Sequence, residues 1–218
     1  MQVKISEEVR TLWPETALGI LQYTAAVEPS SPALLETFES AIAELAEKHE
    51  LATIAQIPHI ASTRKASKAL GKSPHEYRNA AEAMLRRIVK QNGLYHINNV
   101  VESNNLISVS SGYSIGSYDV SQLQGDITLE RAADGAHYEG IGKASVNIEH
   151  LPTLRDELGL FGNPTSDSQR AMIKPGQREI ISVLYGFDGK EDLQVWMDQF
   201  AKLLEQFCGA ENIKMQIV

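Results

Sequence analysis

The segment Glu179–Phe187, together with the residues that follow it, constrains the fold of this chain more than any other part. It is rich in β-branched and aromatic residues, which predicts a buried strand. Apolar residues then recur at spacings of three and one from Leu193 to Phe207, which predicts an amphipathic helix ended by Gly209. Residues 100–187 consist mostly of short apolar segments separated by turn residues, which predicts short strands. Because helices and strands do not alternate regularly, the sequence predicts an α+β domain.

The first half of the chain predicts a strand followed by helices. Ala17–Val27 favours a buried strand, although its alanines leave a helix open. Ser31 and Pro32 are typical of a helix start, and the apolar positions after them predict a helix to about His49. Arg64–Leu70 predicts a short helix.

The next helix has two candidate starts. Ser73-Pro74-x-Glu76 is a capping-box pattern with proline at the first helical position, and Asn79-x-x-Glu82 is a second cap pattern. Asn92-Gly93 is typical of the end of this helix. The last strand candidate of the chain is Ile213–Val218.

Length and composition bound the class of protein. A chain of 218 residues fits one domain, so we expect residues 1–218 to form a single domain. No window approaches 18 uninterrupted apolar residues, so we expect no membrane span. The start has no apolar core of signal-peptide length, and the single cysteine, Cys208, cannot form an internal disulfide. These features favour a cytoplasmic protein.

The basic residues are concentrated in one segment, from Ser62 to Lys90. The chain as a whole carries a net charge of -8, which argues against general affinity for nucleic acid. Within this basic segment, however, eight basic residues are opposed only by Glu76 and Glu82, so it could contact phosphate. The alternative is a solvated helical face whose counter-charges lie elsewhere in the fold, and two of its arginines lie close enough to apolar positions to pair internally. The candidates for RNA contacts are Arg64, Lys68, Lys72, Arg78, Arg86 and Arg87.

A stretch of amide and hydroxyl residues broken by apolar ones runs through Val101–Ile107 and continues in Gly112–Asp119. The apolar residues indicate buried strand backbone. Ser103, Asn104 and Asn105 would then need hydrogen-bond partners. A ligand is one candidate partner, and a turn whose side chains bond to its own backbone is the alternative.

These segments resemble the B3/B4 module of the bacterial phenylalanyl-tRNA synthetase β subunit and the free-standing members of that family. The resemblance is carried by Arg64–Arg87, by Asn104–Asp119 and by Gly125–Ala132, and it runs from about Thr63 to about Gly186. It implies a three-layer arrangement of β layers and helices. It also implies hydrolysis of the ester joining tyrosine to the phenylalanine tRNA. Such a site needs mainly to orient a water and to supply hydrogen bonds to developing charge.

The resemblance also implies a set of pocket residues. The family's Thr-Asn pair falls on Asn104 and Asn105, its pocket proline falls on Ser114, and its pocket histidine falls on Gly116. Because the histidine is absent here, any hydrolysis would depend on a positioned water and amide donors.

An acidic residue belongs to the pocket of the synthetase module, and Asp156 or Glu157 is its counterpart in this sequence. The polar segment Asn163–Arg170 forms either part of this pocket or a stable turn network. The pocket candidates are therefore Asn104, Asn105, Ser114, Gly116, Asp156 and Glu157. None of them is assigned as catalytic.

The resemblance implies a stand-alone, tRNA-synthetase-related domain that binds tRNA or an aminoacyl-tRNA end. The most specific function that the resemblance implies is hydrolysis of a misacylated tRNA in trans. A non-catalytic RNA-binding module and a small-metabolite-binding protein without an RNA partner are the alternatives. The sequence contains no phosphate-binding glycine loop and no cysteine-pair zinc motif, so we expect no cofactor and no metal.

Overall fold

The computed structural model describes every residue from Met1 to Val218. The helices are α1 (Glu7–Leu12), α2 (Pro32–Lys48), α3 (Pro58–Ala69), α4 (Ala80–Val89), α5 (Asn99–Ser111) and α6 (Leu193–Cys208). The strands are β1 (Val3–Ile5), β2 (Ala17–Val27), β3 (Ser114–Asp119), β4 (Ile127–Arg131), β5 (His137–Gly140), β6 (Lys143–Asn147), β7 (Pro152–Asp156), β8 (Gly159–Gly162), β9 (Gly176–Gly186) and β10 (Glu211–Ile217). No helix has both the length and the apolar character needed to cross a bilayer.

The central sheet has the strand order β10-β2-β9-β3, and all of its neighbouring strands are antiparallel. Strands β2 and β9 pair along their full length, from Ala17 opposite Gly186 to Val27 opposite Gly176. Successive side chains of a strand point to opposite faces of the sheet, and here both faces are covered. That is why β2 and β9 are apolar at consecutive positions.

The fold has three layers, and this sheet is the middle one. On one face, Leu21 and Leu184 pack with Phe200 of α6. On the other face, Ile20 and Val183 pack against the second sheet, which has the order β1-β4-β7-β8. The chain is therefore an α+β protein made of a helical layer and two β layers, as the sequence predicts.

Most predicted elements lie where the sequence places them: β2, α2, β9, α6 and β10. Helix α3 is longer than predicted, because it begins at Pro58. Of the two candidate starts for α4, the structure uses Asn79, whose side-chain oxygen accepts the N–H of Glu82 at 2.9 Å. Residues around Ser73 form a turn instead.

The prediction of strand backbone at Val101–Ile107 is wrong, because this segment lies in helix α5. The Asn98 side chain caps the helix by accepting the N–H of Val101 at 2.9 Å, and Gly112, at φ 85°, ends it in the left-handed conformation. The helix contacts α2, α4, α6 and β3, so residues on all of its sides are buried. A helix buried all round has no amphipathic periodicity, and its apolar positions therefore suggested a strand.

Candidate functional site

A cavity of about 250 Å³ lies beside α4, α5 and β3. Its wall is mostly apolar, with a few polar groups that converge on the interior, which is the usual composition of a small-molecule site. The apolar lining consists of Ala80, Met84, Ile97, Val101, Ile115, Ile141, Met172 and Ile173. The polar lining consists of Asn98, Asn104, Asn105, Ser117 and Asp167.

Asn104 is fixed by hydrogen bonds on both sides of its amide. The Ser117 hydroxyl donates to its Oδ1 at 3.0 Å, and its Nδ2 donates to the Ile115 carbonyl at 3.3 Å. Because a backbone carbonyl only accepts, these bonds define which way the amide faces. Ser182 and Tyr23 extend the row, with oxygen–oxygen distances of 2.8 Å from Ser117 to Ser182 and 2.9 Å from Ser182 to Tyr23. The cavity is thus connected to the core by a continuous polar row.

Asn105 is oriented by its neighbour. The Asn104 Nδ2 also donates to the Asn105 Oδ1 at 3.3 Å, so the NH2 group of Asn105 is turned to the other side. Because Asn105 lines the cavity and is only half-buried, its two N–H donors are available to a bound molecule. Donors held in this way can bind an ester carbonyl and stabilise negative charge that develops on its oxygen.

Asp167 is the acid of the cavity. The Tyr118 hydroxyl donates to its Oδ1 at 2.7 Å, and the Tyr185 hydroxyl lies 2.8 Å from the Tyr118 oxygen. Since the one Tyr118 proton goes to Asp167, Tyr185 donates in the second bond. Burial raises the pKa of Asp167 to about 7, although the Tyr118 hydrogen bond acts to lower it. Near neutral pH, Asp167 therefore exists in both ionisation states, as a general acid or base requires.

Ser114 and Gly116, which the family resemblance implicated, do not line the cavity. Ser114 is buried, and its hydroxyl accepts the N–H of Ala81 at 3.5 Å. Gly116 lies against the Tyr118 side chain, and a methyl group at position 116 would overlap the Tyr118 hydroxyl. Tyr118 therefore excludes a histidine from position 116.

Asp156 and Glu157 lie away from the cavity. Asp156 is buried at the end of β7, where both its oxygens bind the Arg170 guanidinium at 2.8 and 3.1 Å. Its oxygens also accept the N–H groups of Gln124 and Leu158. Glu157 is exposed and bonds the Gln124 side chain. The cavity acid is Asp167 instead. It comes from the polar segment 163–170, which also contains a turn network built on Asn163.

Three of the predicted RNA-contacting arginines lie around a buried carboxylate: Arg64 and Arg86 are largely covered, whereas Arg78 is half-exposed. Glu82 is fully buried. The Arg64 Nη1 and the Arg86 Nε each lie 2.9 Å from a carboxylate oxygen of Glu82. The Arg78 Nε lies 3.8 Å from one of these oxygens. A buried carboxylate needs such partners to offset its desolvation. Arg64 therefore stabilises the contact of α3 with α4, and Arg86, four residues after Glu82, stabilises α4 itself.

The other predicted contacts are divided between structure and solvent. The buried Lys72 donates to Asn147 at 2.9 Å and lies over the Tyr77 ring, 4.0 Å from its centroid. Burial lowers the pKa of Lys72. Lys68 is exposed. Some charges of the basic segment are thus used inside the fold, and only part of its charge is available to a partner.

A surface groove of about 380 Å³ runs along α4 and is lined by four basic side chains and one acidic one. We call this the basic groove, and its lining residues are Glu76, Arg78, Ala83, Arg86, Arg87, Lys90 and Asn92. Helix α4 is shared between the two concavities, because Ala80 and Met84 line the cavity. Two concavities therefore lie on adjacent sides of one helix. One is the cavity with its amide and acid groups, and the other is the cationic groove.

The fold and the site belong to a known family of domains. Residues 62–209 match the model of the B3/4 domain family, and because the match covers more than half of the chain, the chain belongs to that family. The resemblance found in the sequence is confirmed.

One similar solved structure is an N-terminal fragment of the phenylalanyl-tRNA synthetase β-subunit from Pyrococcus horikoshii, with a TM-score of 0.54 and 10% identity. The similarity covers 96% of this chain and 49% of that fragment, so the chain spans about half the fragment's length. At this identity the likeness shows the fold alone. No curated protein matches the chain in sequence.

Replacing Arg64 with alanine tests the role of the buried carboxylate. Glu82 would lose the guanidinium that contacts both of its oxygens. We expect the free energy of unfolding to fall by about 3 kcal/mol in urea denaturation. Lys65→Ala is the matched control, because Lys65 is exposed on the same helix, and its effect should stay within about 0.5 kcal/mol. Equal, small effects of the two substitutions would contradict the structural role of Arg64.

Replacing Asp167 with asparagine tests its protonation. The pKa of Asp167 is raised in the folded protein, so the folded state holds its proton more tightly than the unfolded chain. The wild-type free energy of unfolding should therefore fall as the pH rises from about 4 to about 7, by a few kcal/mol at most. Asp167→Asn should remove this fall. Asp198→Asn, which changes an exposed residue of α6, should keep the wild-type profile.

Proposed function

We propose that this protein binds the aminoacylated 3′ end of a tRNA and hydrolyses the aminoacyl ester in trans. The cavity takes the aminoacyl group, and the basic groove takes backbone phosphates. The observation that carries the proposal is the position of α4, which is the common wall of a polar-lined apolar cavity and a cationic groove. A ligand that spans both must have a small, partly apolar group next to a polyanion, and an aminoacyl-tRNA end has that chemistry.

The dimensions and lining of the cavity suit an amino-acid side chain. Its volume of about 250 Å³ lies below the roughly 300–1,000 Å³ of sites for drug-sized molecules. Met84, Ile115 and Ile173 offer apolar contacts, while the amides and Asp167 provide polar ones. The membership in the B3/4 family agrees with this ligand class.

Hydrolysis follows from the two functional groups in the cavity. A water attacks the ester carbonyl carbon while the ionised Asp167 accepts its proton, and the Asn105 N–H groups bind the oxygen that becomes negative. The intermediate then collapses, the bond to the ribose oxygen breaks, and that oxygen takes the proton back from Asp167. Asn104 is a positioning residue. Its Nδ2 donates to the Asn105 Oδ1, and this bond turns the Asn105 N–H donors away from Asn104.

The first test is deacylation of a panel of aminoacyl-tRNAs by the purified protein, with Asn105→Ala as the diagnostic variant. If Asn105 donates to the developing oxyanion, its removal should lower the rate constant about 10²–10³-fold. The fold should remain, because Asn105 is not fully buried. Gln199→Ala on α6 is the control and should keep the wild-type rate.

The outcomes of this panel separate the candidate functions. Turnover that Asn105→Ala abolishes supports hydrolysis. Binding of tRNA without turnover of any panel member would leave a non-catalytic RNA-binding module. If the protein neither binds nor deacylates tRNA, the proposal is wrong and a small-metabolite-binding protein takes its place.

The second test concerns the basic groove and uses two of its exposed cations. Each phosphate contact that is lost reduces the number of counterions released on binding. Arg78→Gln with Lys90→Gln should therefore weaken tRNA binding and lower the slope of log K against log salt by about 1–2. The control is Lys202→Gln with Lys214→Gln, which changes the net charge equally but lies on α6 and β10. Equal slopes for the two double variants would exclude phosphate contacts in the groove.

A further inference from the structure

We propose that Tyr95 is a stacking platform for an unpaired nucleobase at the 3′ end of the bound tRNA. The inference rests on the proposed function and adds a binding residue to it. Tyr95 lies in the segment between α4 and α5, and neither the cavity nor the basic groove includes it. Its position and its surroundings carry the argument.

Tyr95 lies two residues before Ile97, an exposed residue that lines the cavity. Among the large apolar side chains, Tyr95 and Ile97 are the two most exposed, at 70% and 62%. Ile97 lines the cavity, as does Ile141, which is 48% exposed. Single exposed apolar residues are common on protein surfaces, whereas a group of them around a concave site indicates binding.

The Tyr95 ring is held in place on one side only. The Arg87 guanidinium lies over it, 4.7 Å from the ring centroid. Arg87 is itself fixed by donating to the carbonyls of Gly93 at 3.2 Å and Asn92 at 3.3 Å. A ring supported on one face and largely exposed elsewhere can stack with a flat ligand at little cost in side-chain entropy.

The backbone next to Tyr95 is also anchored. The N–H of Ile97 donates to the buried carboxylate of Glu102 at 2.7 Å, and this bond ties the segment to α5. The platform therefore keeps a fixed position relative to the cavity.

Tyr95 connects the two concavities. Its partner Arg87 lines the basic groove, and Ile97, two residues further along the chain, lines the cavity. An RNA end with its phosphates in the groove and its ester in the cavity would run from the side of Arg87 to the side of Ile97, and Tyr95 lies between these residues in the chain. Single-stranded ends are bound largely by stacking on aromatic side chains, which tolerates any base. The ligand at Tyr95 is therefore an unpaired terminal nucleobase.

A tRNA carrying 2-aminopurine as its 3′-terminal base tests the platform, because the fluorescence of this base falls when it stacks on an aromatic ring. Wild type and Tyr95→Phe should quench the fluorescence equally and bind with equal affinity. Tyr95→Leu keeps an apolar side chain without a ring, so it should lose the quenching and bind about 5- to 100-fold more weakly. Leu158→Ala, at another exposed apolar residue, should behave as wild type.

A second tRNA, shortened by its terminal nucleotide, completes the design. Wild type and Tyr95→Leu should bind it with the same affinity, because the base that stacks is missing. Unchanged quenching and affinity in Tyr95→Leu would overturn the stacking role while leaving tRNA binding intact. Failure of the wild-type protein to bind either tRNA would instead overturn the proposed function, and the platform with it.

Discussion

The buried carboxylate of Glu82 is the interaction on which the arrangement of the site depends. It lies in the first turn of α4, and its bond to Arg64 fixes α4 against α3, while its bond to Arg86 lies within α4. Because α4 separates the cavity from the basic groove, this ion pair sets the position of both. Breaking such a pair leaves an uncompensated buried charge, which costs about 3–5 kcal/mol. Arg64 and Arg86 are thereby partly covered, so the formal charge of the basic segment is larger than the charge that an RNA partner would contact.

The polar residues of the cavity are held by the layers on which they lie. Asn104 belongs to α5 in the helical layer, but its amide is oriented by Ser117 and by the Ile115 carbonyl, both on β3 of the central sheet. Tyr118, also on β3, faces the opposite side of the sheet and reaches Asp167. Strand β3 therefore aligns the donor side and the acid side of the cavity through side chains that alternate along one strand.

The sequence was sufficient for the helices that are buried on one side, α2, α4 and α6. Ser31 and Asn79 mark helix starts and Gly209 a helix end, and the structure uses all three. It was insufficient at α5, because a helix buried on every side shows no period of 3.6 residues. The Asn98 cap and the Gly112 stop were present in the sequence, and together they would have indicated the helix.

The candidate site shows why a family's residues cannot be carried over one position at a time. Glycine at position 116 leaves room for the Tyr118 hydroxyl, and Gly162 opposite leaves room on the other side. The hydroxyl then reaches Asp167, a residue of a distant segment that no spacing in the sequence connects with position 116. Glycine at position 116 is thus one part of a linked arrangement, in which small residues admit a tyrosine and the tyrosine holds an acid. Because these side chains share one volume, substitution at any one of them alters the space available to the others.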